Sequence, residues 1–167
     1  MTDQIITERL TLRPYRADDA QDVATLIGDF AVSKWLTRVP YPYTQADALA
    51  FIERNAGTPF VYAVTRDGVL IGCVSIMGAD LGYWYGVPYW GQGYATEAAC
   101  AAVDAYFATE AEPLGSGYLD GNAGSKRVLE KLGFTANGMI QSDCLARQAK
   151  VVNHRMILCR ETWAAAA

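Results

Sequence analysis

Two stretches of this chain carry residue types and spacings from which chemistry can be built. The first is WGQGYAT, residues 90–96, a glycine pair at Gly91 and Gly93 set between an aromatic, strand-like run and a helical pattern. In that pattern Ala95, Ala99, Ala102, Val103 and Tyr106 recur at helical spacing. Glycines let a backbone approach a ligand closely, the first N–H groups of a helix have no partner within it, and the helix dipole favours negative charge there. Such a junction suits a pyrophosphate, held by the backbone N–H groups of Gly91, Gln92, Gly93, Tyr94, Ala95 and Thr96. A Gly-x-Gly ahead of a helix is also ordinary turn chemistry, and the glycines alone do not decide between the two. The second stretch is DGNAGSKRVLEKLGF, residues 120–134, in which Asn122 and Ser125 open a helix that stops at Gly133. Three titratable residues attract notice. Asp80 precedes the aromatic run, Glu97 falls in the first helical turn where it complements the dipole, and His154, the sole histidine, lies in the last strand pattern.

The elements that must position these groups are legible from periodicity. Thr7–Tyr15 alternates as a half-buried strand with Leu10 and Leu12 inward. Asp18 or Asp19 caps a helix with Val23, Leu26 and Ile27 on its inner face, Gly28 breaks it, and a short helical turn resumes over Phe30–Leu36. Thr44 with Asp47 forms a capping box for a helix that uses Leu49 and Ile52 as its buried side and ends near Gly57. Phe60–Thr65 and Val69–Met77 pair around Asp67-Gly68, Gly78 closes the second strand, and Asp80–Tyr85 adds another, giving an antiparallel meander. After the long helix come a strand at Leu114–Leu119, the second motif helix, a strand from Phe134 to about Ile140, a polar loop over Gln141–Lys150 and a last strand at Val151–Cys159. Trp163 anchors the end, ahead of frayed alanines. No repeat, low-complexity linker or charge block divides residues 1–167, which read as one α+β domain.

With 167 residues and 51% hydrophobic content, the chain can bury one substantial core. Its formal net charge of −4 argues against a broad nucleic-acid-binding face, so a polyanionic ligand would be held by backbone amides and a few local cations. Cys73, Cys100, Cys144 and Cys159 are scattered without a Cys-x-x-Cys pair and His154 is the only histidine, which argues against a zinc site. With neither a leader pattern nor an apolar run of membrane-spanning length, the expectation is a cytoplasmic protein with free thiols and no membrane partner.

WGQGYATEA together with N-x-x-S-x-x-V-L-E-K-L-G-F strongly resembles the Gcn5-related N-acetyltransferase (GNAT) superfamily, and within it the RimJ/RimL-like branch. The opening ITERLTLRPYRADDA and the closing NHRMILCRETW resemble that branch too, so the similarity spans nearly the whole chain. Trp90 stands where the wider superfamily starts its loop with Arg or Gln, and the branch tolerates Trp there. The resemblance implies an α+β GNAT fold: a mixed, mostly antiparallel sheet of about seven strands, flanked by helices and splayed between the fourth and fifth strands. It implies acetyl-CoA as co-substrate, no metal, and a primary amine as acceptor, either a protein N-terminus or a small molecule. The pantetheine arm would lie against Tyr83, Trp84 and Tyr85 like an added strand, with the Tyr85 amide facing the thioester carbonyl as an oxyanion donor. Asn122 would contact pantetheine and Ser125 would lie near the sulfur. Trp35, Tyr41 and Tyr43 fall in a region that walls the acceptor site in the branch, although aromatics packing a loop onto the core read equally well.

An amine must be neutral to attack, and a leaving thiolate benefits from a proton donor. Many superfamily members supply that donor from a Tyr on the second motif helix. The matching residue here is Leu129, which leaves Ser125 as substitute or no dedicated acid. Asp80 is the candidate base, acting through water, where the branch often carries Glu. Lys126 and Arg127 read as a solvated helix face that could reach nucleotide phosphates. The leading expectation is therefore direct attack of an amine on acetyl-CoA in a ternary complex, with substrate choice in residues 30–43 and 141–150. A non-catalytic acyl-CoA-binding module is the alternative. A dinucleotide-dependent oxidoreductase is disfavoured, because the glycines follow a meander and Thr96 breaks G-x-G-x-x-G. Exposed strand edges admit a homodimer.

Overall fold

The computed structural model describes residues 3–166 and begins with two short strands, β1 (Ile5–Ile6) and β2 (Thr11–Arg13). The alternating stretch at Thr7–Tyr15 is thus a strand for only part of its length. A turn closed by Thr7 N–H donating to the Leu10 carbonyl interrupts it, while Leu10 and Leu12 are buried as their spacing predicts. A short 3-10 turn leads into α1 (Ala20–Ile27), followed by α2 (Phe30–Ser33) and α3 (Gln45–Asn55). The Thr44–Asp47 capping box forms in full. The buried face of α3 is Ala48 and Ile52, and Leu49 is turned outward, because the helix meets α1 through the smaller side chain.

The meander is β3 (Val61–Arg66), β4 (Val69–Met77) and β5 (Asp80–Tyr85). Its two hairpin turns, Asp67-Gly68 and Gly78-Ala79, all have positive φ, the backbone that two-residue hairpins of right-handed twist require. Then come α4 (Tyr94–Thr109), β6 (Leu114–Leu119), α5 (Ala123–Leu132), β7 (Thr135–Cys144), β8 (Ala149–Leu158) and α6 (Arg160–Ala166). Gln141–Lys150 is therefore a hairpin and not a loop. The ladder runs to Cys144–Ala149, and its polar composition reflects an edge strand exposed along most of its length. The terminal alanines through Ala166 belong to α6, which Trp163 ties down by donating its indole N–H to Asp104 at 2.8 Å.

The strands form one eight-stranded sheet in the order β1-β2-β3-β4-β5-β6-β8-β7, one strand more than expected because Ile5–Ile6 pairs with Thr11–Leu12. All neighbours are antiparallel except β5 and β6, which α4 joins by a crossover. One core lies on the α4 and α5 face of the sheet, around Leu12, Ile71, Val74, Val103, Leu114, Leu129 and Leu158. A second lies on the α1 to α3 face, around Val23, Ile27, Ala48, Ile52 and Cys73.

Candidate active site

The parallel pair is where the sheet opens. Pairing between β5 and β6 is confined to Asp80–Gly115, reinforced by Gly115 N–H donating to the Ala79 carbonyl at 2.8 Å and the Ser116 hydroxyl donating to the Leu81 carbonyl at 2.8 Å. Past Leu81 the strands diverge into a cleft with a closed end at Leu81–Ser116 and a mouth at the C-terminal end of β5. The expected splay is therefore present, between the strands that count fifth and sixth once β1 is included. The two-residue turn makes Met77–Asp80 a hydrogen-bonded pair, and alternation from there directs the N–H and C=O of Tyr83 and Tyr85 away from β4, into the cleft. Gly86 N–H donating to Ile71 O at 3.0 Å and the Trp90 indole donating to Tyr85 O at 2.7 Å both obey this register.

At the mouth stands the N-terminus of α4. Helices α2, α3 and α5 are each capped by a side chain, from Asp29, Thr44 and Asn122. Helix α4 starts instead from Gly93, at φ +81°, with no side-chain cap. The first-turn amides of Tyr94, Ala95 and Thr96 are thus aimed outward at the end of the dipole, where an anion is stabilised. Gly91 is also left-handed, at φ +70°.

This loop is braced from behind by a residue the sequence reading passed over. Arg9 donates from Nη1 to the Gln92 carbonyl at 2.8 Å and from Nε to Glu97 Oε2 at 2.7 Å, and its guanidinium lies 4.6 Å from the Tyr94 ring centre. Glu97 also accepts from the Thr7 hydroxyl and the Arg9 backbone N–H. Burial works against its charge, but these bonds outweigh it and hold the carboxyl below the usual range. The carboxylate is therefore fully engaged, and its charge beside the Gly91–Gly93 loop is compensated by Arg9.

The predicted residues largely converge. Asp80, Tyr83, Trp84, Tyr85, Gly91, Gly93, Tyr94, Ala95, Thr96, Asn122, Ser125 and Trp35 all line one cavity of about 880 Å³. Gln92 lies outside its wall: the side chain folds back to the Pro88 carbonyl and the backbone carbonyl is taken by Arg9. Tyr41 and Tyr43 are also off the wall. Tyr41 packs edge-on against Phe30, and Tyr43 packs on the α1 to α3 core, where burial pushes its phenol up to about 12. Asn122 Oδ1 caps α5 through the Ser125 N–H at 3.2 Å, leaving its amide NH2 for a ligand carbonyl. Leu129, where a proton-donating Tyr was sought, is fully buried and serves only the core. The Tyr85 side chain is likewise core, so only its backbone faces the cleft.

Strand alternation divides the chemistry between two faces. Asp80, Gly82 and Trp84 lie toward the α1 to α3 face, and Leu81, Tyr83 and Tyr85 toward α4 and α5. On the first face Arg155 of β8 crosses the side-chain-free Gly115 and Gly117 to pair with Asp80. Trp35 reaches over to Gly121, with Lys34 and Arg147 on its ring. The β7–β8 hairpin fastens this wall: Arg147 Nε donates to Lys34 O at 2.7 Å and Leu145 N–H to Thr37 O at 3.1 Å. On the second face the Tyr83 hydroxyl lies 2.9 Å from Ser125 Oγ. Arg127 and Lys131, one turn apart on α5, line the cavity, while Lys126 faces Glu130 outside it. His154 is not part of the wall; it stacks on Tyr118 and meets Asp120 at 2.8 Å. Among the described residues no cluster of three or more His, Cys, Asp or Glu could hold a metal ion, and no helix is long and apolar enough to cross a membrane.

A sheet opened at one parallel pair, with an uncapped helix N-terminus at its mouth, has the shape and polarity that an extended, phosphate-bearing ligand would fit. The sequence matches the acetyltransferase (GNAT) domain family over residues 9–135, and the chain belongs to that family as an acetyl-CoA-dependent N-acetyltransferase. Among solved structures, a GNAT-family acetyltransferase from Bacillus anthracis superposes with a TM-score of 0.82 at 23% identity, covering 95% of this chain and 99% of that one. A ribosomal-protein-S5-alanine acetyltransferase from Vibrio fischeri gives 0.78 at 17% identity, covering 96% and 98%. The microcin C7 self-immunity acetyltransferase MccE, in complex with acetyl-CoA and AMP, gives 0.77 at 18% identity, covering 92% and 93%. Comparison with curated proteins gives no significant match.

Proposed function

We propose that this protein transfers the acetyl group of acetyl-CoA to a primary amine by direct attack within a ternary complex, the acceptor being a protein N-terminus or a small molecule. The observation that carries the reading is the uncapped start of α4 at the open end of a blind cleft. A diphosphate fits the first and an extended amide-bearing arm fits the second. In this reading Gly91, Gly93 and the amides of Tyr94 to Thr96 hold the diphosphate, with Arg127 and Lys131 nearby as cations. The arm runs along β5 as an added strand, meeting the backbone groups of Tyr83 and Tyr85 and the amide of Asn122.

The blind end sets where the acyl group stops. Tyr83 lies about 6.6 Å deeper than Tyr85 along the strand, and the Tyr85 carbonyl is already taken by Trp90. Of the two amides directed into the cleft, that of Tyr83 is the deeper and the better placed to stabilise a developing oxyanion, with Tyr85 serving the arm. The acceptor enters from the face that carries Asp80 and Trp84, between Trp35 and Arg155. Asp80, held by Arg155, takes the proton from the amine through water. Holding both reactants in one cleft supplies the proximity term, and no covalent enzyme intermediate is required.

Calorimetry with acetyl-CoA and thiol release over an amine panel test the proposal together. Micromolar or tighter binding and turnover on at least one amine class are expected. Failure of coenzyme A to bind the folded protein overturns the reading, and binding without release on any protein N-terminal peptide, polyamine, amino sugar or amino acid overturns the catalytic part.

A further inference from the structure

We propose that the Tyr83 phenol is a positioning residue for the leaving group: it fixes the Ser125 hydroxyl so that its proton points at the departing sulfur. The inference rests on the acetyl-transfer reading and adds to it a side chain that neither the sequence motifs nor the family match assigns to this task. Tyr83 reaches across the cleft from β5 to the first turn of α5, with its hydroxyl 2.9 Å from Ser125 Oγ and 3.2 Å from the Ser125 carbonyl. Both residues line the cavity. The cleft closes two residues deeper, where Ser116 meets Leu81, so an arm entering from the mouth ends close to this pair.

The faces agree with the assignment. Asp80 lies on one side of β5 and Tyr83 on the other, an odd number of residues apart, so an amine arriving beside Asp80 leaves the sulfur toward Ser125. A serine hydroxyl has one proton and two lone pairs. Left alone in a helix it rotates and can bond back to a carbonyl of the preceding turn. In the proposed arrangement the phenol gives its single proton to Ser125 Oγ in preference to the Ser125 carbonyl, which holds the rotor and leaves the serine proton free for a new acceptor. Burial pushes the Tyr83 phenol up to about 12, although the bond to Ser125 partly offsets this. A thiol titrates near 8.5, so handing the phenolic proton to the thiolate would run uphill by roughly three orders of magnitude. Tyr83 therefore donates a hydrogen bond and keeps its proton. In the balanced step the C–N bond forms, the C–S bond breaks, its electron pair leaves on sulfur, and the surplus amine proton departs on the Asp80 side. Ser125 and Tyr83 end unchanged.

The test is a cycle of Tyr83→Phe, Ser125→Ala and the double variant in the full chain. Each single change is expected to lower kcat about tenfold, with the double variant no worse than Ser125→Ala and the affinity for coenzyme A within about threefold of wild type. The discriminating readout is the thiol pKa of bound coenzyme A, followed by thiolate absorbance across pH. It should lie below the free value in the wild type and return toward it in both single variants, a shift that a purely structural role would not produce. Additive losses, or an unmoved thiol pKa in Tyr83→Phe, overturn the proposal while leaving acetyl transfer intact. Loss of coenzyme A binding in the wild type would instead remove the reading beneath it. Ser125→Ala keeps the α5 cap, which uses the Ser125 backbone N–H, so it remains informative should Tyr83→Phe fold poorly.

Discussion

Replacing Gly93 with alanine probes the phosphate-loop assignment most directly. Gly93 sits at φ +81°, and a Cβ there would lie 3.3 Å from Arg9 Nη2, tighter than ordinary contact. Gly91 sits at φ +70° with open space where its Cβ would project. Alanine at either position therefore carries left-handed strain of about 1–2 kcal/mol. At Gly93 it must also displace the guanidinium that holds the Gln92 carbonyl. If the loop relaxes that strain when empty, the ligand must restore it on binding, and about 1–2 kcal/mol becomes about a 5- to 30-fold weaker Kd for coenzyme A. The loss at Gly93→Ala should exceed that at Gly91→Ala, because only the former disturbs Arg9. Calorimetry with coenzyme A on both variants, with thermal melts as a check on folding, measures the difference. KM for the amine should stay within about twofold of wild type, since the proposed acceptor entry is on the opposite side of the cleft. Two folded variants that bind coenzyme A as tightly as the wild type would refute the placement of the diphosphate.

Asp80→Asn should lower kcat/KM for the amine about 10- to 100-fold with coenzyme A affinity unchanged; an unaltered kcat/KM removes Asp80 as base. Leu129→Tyr, which restores the residue type many relatives use as acid, should destabilise by about 1–3 kcal/mol through overpacking and raise no activity, because that side chain is fully buried; a stable, faster variant would contradict this. Asp19 and Arg13 form a largely buried pair at 2.8 Å, and although burial opposes its charge, Asp19 is held below the usual carboxyl range by the Arg13 side chain and the Arg16 backbone. A depressed folded pKa gives stability that is complete above the unfolded value near 3.9 and is lost as pH falls through the folded one. Denaturant melts of Asp19→Asn should thus show a deficit of about 3 kcal/mol at neutral pH that narrows as the pH falls below about 3.9.

What could be read in advance follows from how local each signal is. Turn and cap chemistry acts within a few residues, so Asp67-Gly68, the Thr44–Asp47 box and Asn122 as cap were legible. So was the burial of Leu10 and Leu12, which needs only alternation. The β7–β8 hairpin was not, because an exposed edge strand presents polar residues on both faces and imitates a loop. Arg9 and Arg155 escaped for another reason. Each acts on a loop or carboxylate far away in sequence, 83 residues for Arg9 and Gln92 and 75 for Arg155 and Asp80, so no local pattern announces them. Tyr41 and Tyr43 fall in a region that the branch resemblance assigns to the acceptor wall, yet the chain turns their rings onto Phe30 and the α1 to α3 core.

The two-residue turn at Gly78-Ala79 is the device on which the proposed site depends. It fixes which carbonyls of β5 face β4 and which face the cleft, and by the same stroke which side chains face each helical layer. A slip of one residue would aim the amides of Gly82 and Trp84 into the cleft and carry Tyr83 away from Ser125. It would also put the Asp80 carboxylate on the face of the leaving group and not that of the acceptor. The parallel crossover through α4 then brings an uncapped helix start to the mouth of the cleft, at the C-terminal end of β5. The proposed anion site, deep amide, hydroxyl pair and carboxylate thus share a single register, so the proposed chemistry is distributed by the sheet before any side chain adopts its rotamer.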